Sequence, residues 1–197
     1  MVNEKGKNYS RNNASGERKS SDFYETPYSM TRQLLEVEKF DYRKMCFEMA
    51  CGNGAQVKIL EEKFEKVVGN DISDGMDSLL WRAKMPYVIT NPPYSLSFEF
   101  IQHAKNITQK KFAFLLPLTY LQGQNRFDKI YQDLKFPLAR VWVFIRYPML
   151  GDPLRPDGKY RTGMQTYAWF VWDRGHRGPP QIGWIDNREF VLNARDL

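Results

Sequence analysis

The sequence predicts an α/β fold, an open and mostly parallel sheet whose strands are joined by crossover helices. Three observations carry this expectation. Short apolar runs rich in β-branched residues alternate with stretches that place apolar residues at helical spacing. The first run closes on Gly52-Asn53-Gly54, after which a helical pattern begins. A third run closes on Pro92-Pro93, and neither proline has a backbone N–H with which to continue a ladder.

In chain order, strands are expected over residues 45–50, 66–71, 87–91, 111–117, 141–146 and 166–173. Helical spacing of apolar residues marks 31–40, 55–64, 98–108 and, less regularly, 127–134. Residues 147–163 hold three Pro and three Gly, too many for a helix or a central strand, and are expected to form a long loop. Loops of that length in compact domains are usually functional or disordered.

Composition bounds the rest. A chain of 197 residues that is 42% hydrophobic and 15% aromatic can bury a core, which excludes a disordered linker and leaves room for one domain. Residues 1–21 are nearly devoid of apolar side chains and carry Lys5, Lys7, Arg11, Arg18 and Lys19 against Glu4 and Glu17. They are expected to be a flexible basic arm ahead of a single domain over 22–197. Two Cys and two His build neither a disulfide framework nor a zinc cluster, so a reducing intracellular compartment and no metal are expected. No window reaches the ~18 apolar residues of a membrane span. The net charge of +6 suits an anionic partner such as nucleic acid, although a plain solvated tail accounts for half of it.

At Glu48-Met49-Ala50-Cys51-Gly52-Asn53-Gly54 the Gly-x-Gly turn lets the backbone approach a ligand, with the free N–H groups of a helix start facing it. A dinucleotide site would place a third glycine at position 57, where Val57 stands instead. Asp71 ends the second strand, 17 positions after Gly54, and an acid there can accept hydrogen bonds from both hydroxyls of an adenosyl ribose. Taken alone, these residues fit an ordinary turn and a solvated strand end equally well.

Asn91-Pro92-Pro93-Tyr94 places an amide side chain at the carboxyl end of a strand, on a turn made rigid by two prolines. The arrangement suits methylation of a planar, conjugated amine, whose delocalised lone pair makes it a poor nucleophile. The Asn91 side-chain oxygen and the Pro92 carbonyl can each accept one amine N–H, and Tyr94 can stack on the planar group. This is positioning and electrostatics without a strong base.

Asp22-Phe23-Tyr24-x-Thr26-Pro27, the Glu48 to Gly54 turn, Asp71 and Asn91-Pro92-Pro93-Tyr94, in this order, resemble the class I S-adenosylmethionine-dependent amino-methyltransferases. Within them the chain is most similar to the adenine-N6 DNA methyltransferases, particularly small phage-type ones, over residues 22–173. The resemblance implies the Rossmann-like class I methyltransferase fold, with a seven-stranded or slightly reduced sheet and an antiparallel last strand. It makes Asn91, Pro92, Pro93 and Tyr94 the catalytic loop. Glu48, Ala50, Gly52, Gly54 and Asp71 become cofactor-binding, with Tyr24, Thr26 and Pro27 near the methionine moiety and Asp77 near the adenine of the cofactor. The implied cofactor is S-adenosylmethionine, released as S-adenosylhomocysteine, and the implied acceptor is the exocyclic amine of adenine in DNA. Adenine in RNA and a glutamine side chain of a protein remain as alternative acceptors, and a noncatalytic nucleic-acid-binding module would keep the same fold. The expected setting is the cytoplasm of a bacterial or phage-infected cell, with no membrane and no obligate protein partner.

Spacing adds two expectations. Only 20 positions separate Asp71 from Asn91, so the third strand and helix of the family are truncated, and the 39 positions from Gly52 to Asn91 leave no room for an inserted recognition domain. Phosphate contacts would then fall to Arg126, Arg146, Arg155, Lys159 and Arg161 on two loops, charges that also serve simply as solubilising groups. The Phe and Trp residues of 141–144 and 167–172 are expected in the sheet core rather than under bases.

Overall fold

The computed structural model describes residues 26–145, 156 and 166–188. The expected loop at 147–163 and the basic arm lie outside these residues, apart from Pro156. Seven strands form one sheet: β1 (Met45–Glu48), β2 (Lys66–Gly69), β3 (Met85–Thr90), β4 (Thr108–Pro117), β5 (Leu138–Phe144), β6 (Tyr167–Asp173) and β7 (Gln181–Ile185). Their spatial order is β2-β1-β3-β4-β6-β5-β7. β6 runs antiparallel to both β4 and β5, and every other pairing is parallel.

Helices α1 (Tyr28–Val37), α2 (Ala55–Glu61) and α3 (Ser97–Ile107) cover the sheet. Met30, Leu34, Ile59 and Leu60 of α1 and α2 pack with Ile89, Leu115, Trp169 and Val171 on one face. Phe100, Ile101 and Ala104 of α3 pack with Phe47, Val88, Phe112, Phe114 and Phe170 on the other. The central strands are apolar without alternation because both faces are covered. Trp169, Phe170 and Trp172 are fully buried, with the Phe112 and Trp172 rings stacked at 4.7 Å, so the aromatics of this region are core, as expected.

Two differences from the sequence reading stand out. The antiparallel strand predicted last is β6, but β7 follows it and adds a parallel edge beside β5. β7 is short, follows Gly178-Pro179-Pro180 and carries a central glycine, which obscures a strand signal. Gly183 is required because a Cβ there would collide with the ring of Trp142 on β5. Between β2 and β3 stand only two 3-10 turns, Ile72–Asp74 and Ser78–Leu80, which is the expected truncation. The region predicted as helix 127–134 is a short helical turn, Gln124–Arg126, that widens into a π-turn over Phe127–Tyr131. Buried Lys105 stabilises that turn by donating to the Ile130 carbonyl and to Asp133.

Helix α1 is tied to the sheet at both ends. Its first turn closes with Met30 N–H on the Pro27 carbonyl, and Trp169 Nε1 donates to the Met30 carbonyl at 3.0 Å. Just past its end, Glu38, 3% exposed, accepts from Lys111 Nζ at 2.6 Å, from Arg140 at 2.5 and 2.9 Å and from Trp142 Nε1 at 3.1 Å. Asp173 balances the second cation, 2.9 Å from Arg140. Removing one partner of a buried network strands the others and costs about 3–5 kcal/mol, whereas an exposed pair contributes less than about 1 kcal/mol. Glu38→Ala is therefore predicted to lower stability by about 3 kcal/mol or more in urea unfolding. Glu62→Ala, which breaks the exposed Arg32–Glu62 pair, is predicted to change it by less than about 1 kcal/mol.

Candidate active site

The chain leaves β1 toward β2 on one side and returns to β3 on the other, so the carboxyl ends of β1 and β3 flank a topological switch point. A cavity of about 510 Å³ opens there, lined by the β1 turn, the 71–79 segment, the Asn91–Tyr94 loop and Thr26.

The β1 turn is shaped by two glycines in the left-handed region, Gly52 at φ 48° and Gly54 at φ 80°, the latter capping α2. Cys51 N–H donates to the Asn70 carbonyl at 3.0 Å and Gly52 N–H to Asp71 Oδ2 at 2.8 Å, which ties the turn to the end of β2. The close helix–sheet approach that a third glycine would provide on the helix is made from the strand instead. A Cβ added at Gly69 would lie 3.0 Å from Val57 Cγ2.

Asp71 lines the cavity. Partial burial works against its charge, but the N–H groups of Ser73 and Gly52 outweigh this and hold the carboxyl below its ordinary range. Asp77 also lines the cavity and accepts from Leu79 N–H at 2.9 Å, capping its turn. Glu48 stands behind the wall, fully buried, and accepts from Ala50 N–H at 2.9 Å and from the Thr90 hydroxyl. Burial pushes its carboxyl up to about 8 against these hydrogen bonds. Cys51 lines the cavity as a thiol, pushed up to about 11 by burial and by the neighbouring carboxylates.

From β3, Thr90 is buried and Asn91 emerges at the cavity. Pro92 and Pro93 end the strand, and the turn Tyr94–Leu96 closes with Leu96 N–H on the Pro93 carbonyl before α3 begins. Asn91 Nδ2 donates to Thr26 Oγ1 at 2.9 Å across 65 residues of sequence. The Tyr94 ring lies 5.6 Å from that of Tyr167, tilted by 33°.

The structure thus brings Thr26, Ala50, Gly52, Asp71, Asp77, Asn91, Pro92, Pro93 and Tyr94 to one cavity. Pro27, Glu48 and Gly54 support its wall without lining it. Arg126 sits elsewhere, with Nε donating to the Gln122 carbonyl and its guanidinium 4.5 Å from the Tyr120 ring centroid. Tyr24, Arg146, Arg155, Lys159 and Arg161 lie outside the described residues.

Two contributors were missed by sequence reasoning. Asn70, 4% exposed, donates to Ser78 Oγ and the Met76 carbonyl and so holds the 71–80 segment over the cavity. Gln56, 5% exposed, lines the cavity with its Nε2 lacking a hydrogen-bond partner among the described residues. Its place in the first turn after Gly54 was the available signal. Among the described residues no cluster of His, Cys, Asp and Glu could hold a metal, and no helix is long and apolar enough to cross a membrane.

No family model and no curated protein sequence matches the chain. Solved structures do. A modification subunit ascribed to a type I restriction enzyme of Vibrio vulnificus gives a TM-score of 0.61 at 14% identity, covering 84% of this chain and 48% of that one. A Listeria monocytogenes chain ascribed to the class I S-adenosylmethionine-dependent methyltransferases gives 0.55 at 12%, covering 80% and 62%. Magnesium protoporphyrin IX methyltransferase of Synechocystis, with S-adenosylmethionine bound, gives 0.50 at 18%, covering 75% and 77%. The fold is the Rossmann-like fold of class I methyltransferases. The chain spans less than two thirds of the Vibrio and Listeria chains.

The protonated Glu48 has a thermodynamic signature. Its carboxyl ionises near its ordinary 4.5 in the unfolded chain and near 8 in the folded one. Between those values the native state keeps a proton that the unfolded state has lost, so stability falls as pH rises, by at most about 1.4 kcal/mol per unit. Glu48→Gln keeps an acceptor for Ala50 and Thr90 but does not titrate. Its stability relative to the wild type is predicted to rise across that window and level off above it in denaturant unfolding at a series of pH values; parallel curves would show an ionised Glu48.

Proposed function

We propose that this chain is an S-adenosylmethionine-dependent methyltransferase acting on the exocyclic N6 amine of adenine in DNA. The observation that carries the reading is the single cavity that joins the Gly52/Asp71 turn to the Asn91–Tyr94 loop. Both halves of a two-substrate transfer site share one wall-to-wall space at the sheet's switch point. The likeness to a modification subunit ascribed to a type I restriction enzyme favours a nucleic-acid acceptor, as does the net charge of +6.

The residues present fit the cofactor. Positive-φ Gly52 and Gly54 leave two positions of the turn without side chains, Asp71 is held as a carboxylate that can accept from a ribose diol, and Gln56 Nε2, without a partner among the described residues, offers a buried donor at the cavity wall. When bound, S-adenosylmethionine supplies a methyl electrophile on a positively charged sulfur. The chain's part is to present the acceptor. The Asn91 Oδ1 and the Pro92 carbonyl accept the two N–H groups of the amine and draw its lone pair out of conjugation. Tyr94 stacks on the ring, and the surplus proton leaves to water after transfer. A base inside a duplex must first be extruded from its stack, at a few kcal/mol.

Duplex DNA, single-stranded DNA, RNA and a protein extract offered with labelled cofactor should yield N6-methyladenine from DNA. Label in RNA or protein alone would overturn the acceptor. Asn91→Ala should slow saturated transfer on the order of 100-fold with little change in cofactor affinity. Asp71→Ala should weaken cofactor binding by about tenfold or more in calorimetry, the cost of a charged hydrogen-bond partner.

A further inference from the structure

We propose that Thr26 is a positioning residue for the transfer step, its hydroxyl fixing which end of the Asn91 carboxamide meets the acceptor amine. This rests on the reading of residues 91–94 as the loop that receives the amine. A carboxamide is nearly symmetric in shape and opposite in polarity at its two ends. With Oδ1 toward the amine it accepts an N–H; turned over, it presents two donors to a donor, and the complex is repulsive. Rotation about the terminal bond of Asn is broad and shallow, so the orientation has to come from a neighbour.

Thr26 supplies it. Its Oγ1 accepts from Asn91 Nδ2 at 2.9 Å, and both side chains line the cavity. Thr26 is 6% exposed, so water competes little for that bond. It sits directly ahead of α1, whose first turn is closed on Pro27 and whose Met30 carbonyl is held by Trp169. The anchor is therefore fixed to the sheet independently of the loop it steers. The sequence resemblance places Thr26 beside the methionine moiety of the cofactor, whereas the hydroxyl itself is engaged with Asn91.

The test compares Thr26→Val, which keeps the shape and removes the acceptor, with Thr26→Ser, which keeps the hydroxyl. Single-turnover transfer to an adenine oligonucleotide should fall at least tenfold in Thr26→Val and stay within about threefold of wild type in Thr26→Ser, with cofactor affinity unchanged in both. Thr26→Val combined with Asn91→Ala should be no slower than Asn91→Ala alone, because the two residues act as one unit. A second readout needs no turnover. The Asn91 side-chain amide resonances, assigned by their loss in Asn91→Ala, should show one proton protected from exchange in wild type and Thr26→Ser and not in Thr26→Val.

Wild-type transfer in Thr26→Val, losses that multiply in the double variant, a weakened cofactor with an unchanged saturated rate, or an unaltered Asn91 resonance would each overturn the proposal. Wild-type transfer in Asn91→Ala would instead overturn the reading of the loop, and the proposal with it. An Asn91→Ala variant that is dead beside a fully active Thr26→Val would sink only the role of Thr26.

Discussion

The carboxylate of Glu38 is the fixed point from which the cavity is laid out. It lies just past the end of α1, almost without solvent, and gathers Lys111 from β4, Arg140 from β5 and the Trp142 indole, with Asp173 of β6 closing the network. Three strands that meet nowhere in the sequence are thereby set against one helix. The ten residues of α1 span about 15 Å, from this cluster to the Met30 carbonyl held by Trp169 and on to Pro27. Their far end carries Pro27 and Thr26, so one wall of the cavity is placed by a helix that these charges anchor at its other end.

Behind the cavity the polar groups are handled differently. Among the described residues no cation pairs with Glu48, and burial is met by protonation and hydrogen bonds. Through its contacts with Ala50 and Thr90 it links the turn after β1 to the strand that delivers Asn91. One buried acid thus couples the Gly52 turn to the strand that carries Asn91. A carboxylate with a full charge at this place would need a counter-ion, whereas the partners present are the Ala50 N–H and the Thr90 hydroxyl.

The parts of this arrangement that could be read from the sequence are those with local causes. Continuous apolar runs marked β3 and β4, Gly52 and Gly54 marked the turn, and Pro92-Pro93 marked the strand end. What escaped reading depends on partners far along the chain. Helix α1 starts three residues earlier than its apolar spacing indicated, because Pro27 sets its first turn and Met30 is held from β6. β7 has a weak pattern of its own and exists because β5 offers it an edge and Trp142 demands a glycine. Asn70 and Glu38 look like solvated polar residues until the segments they bind are placed beside them.

The antiparallel β6 has a consequence for the order in which the protein is made. β5 emerges from synthesis before β6, yet its only neighbours among the described strands are β6 and β7. Until residues 167–173 insert between β4 and β5, the apolar β5 has no place on the sheet and β4 ends in an open edge. The strands β1 to β4 can assemble as they leave the ribosome, but β5 must wait for the strand encoded after it. The nascent protein therefore passes through a stage with a long hydrophobic edge exposed, the kind of surface that chaperones shield.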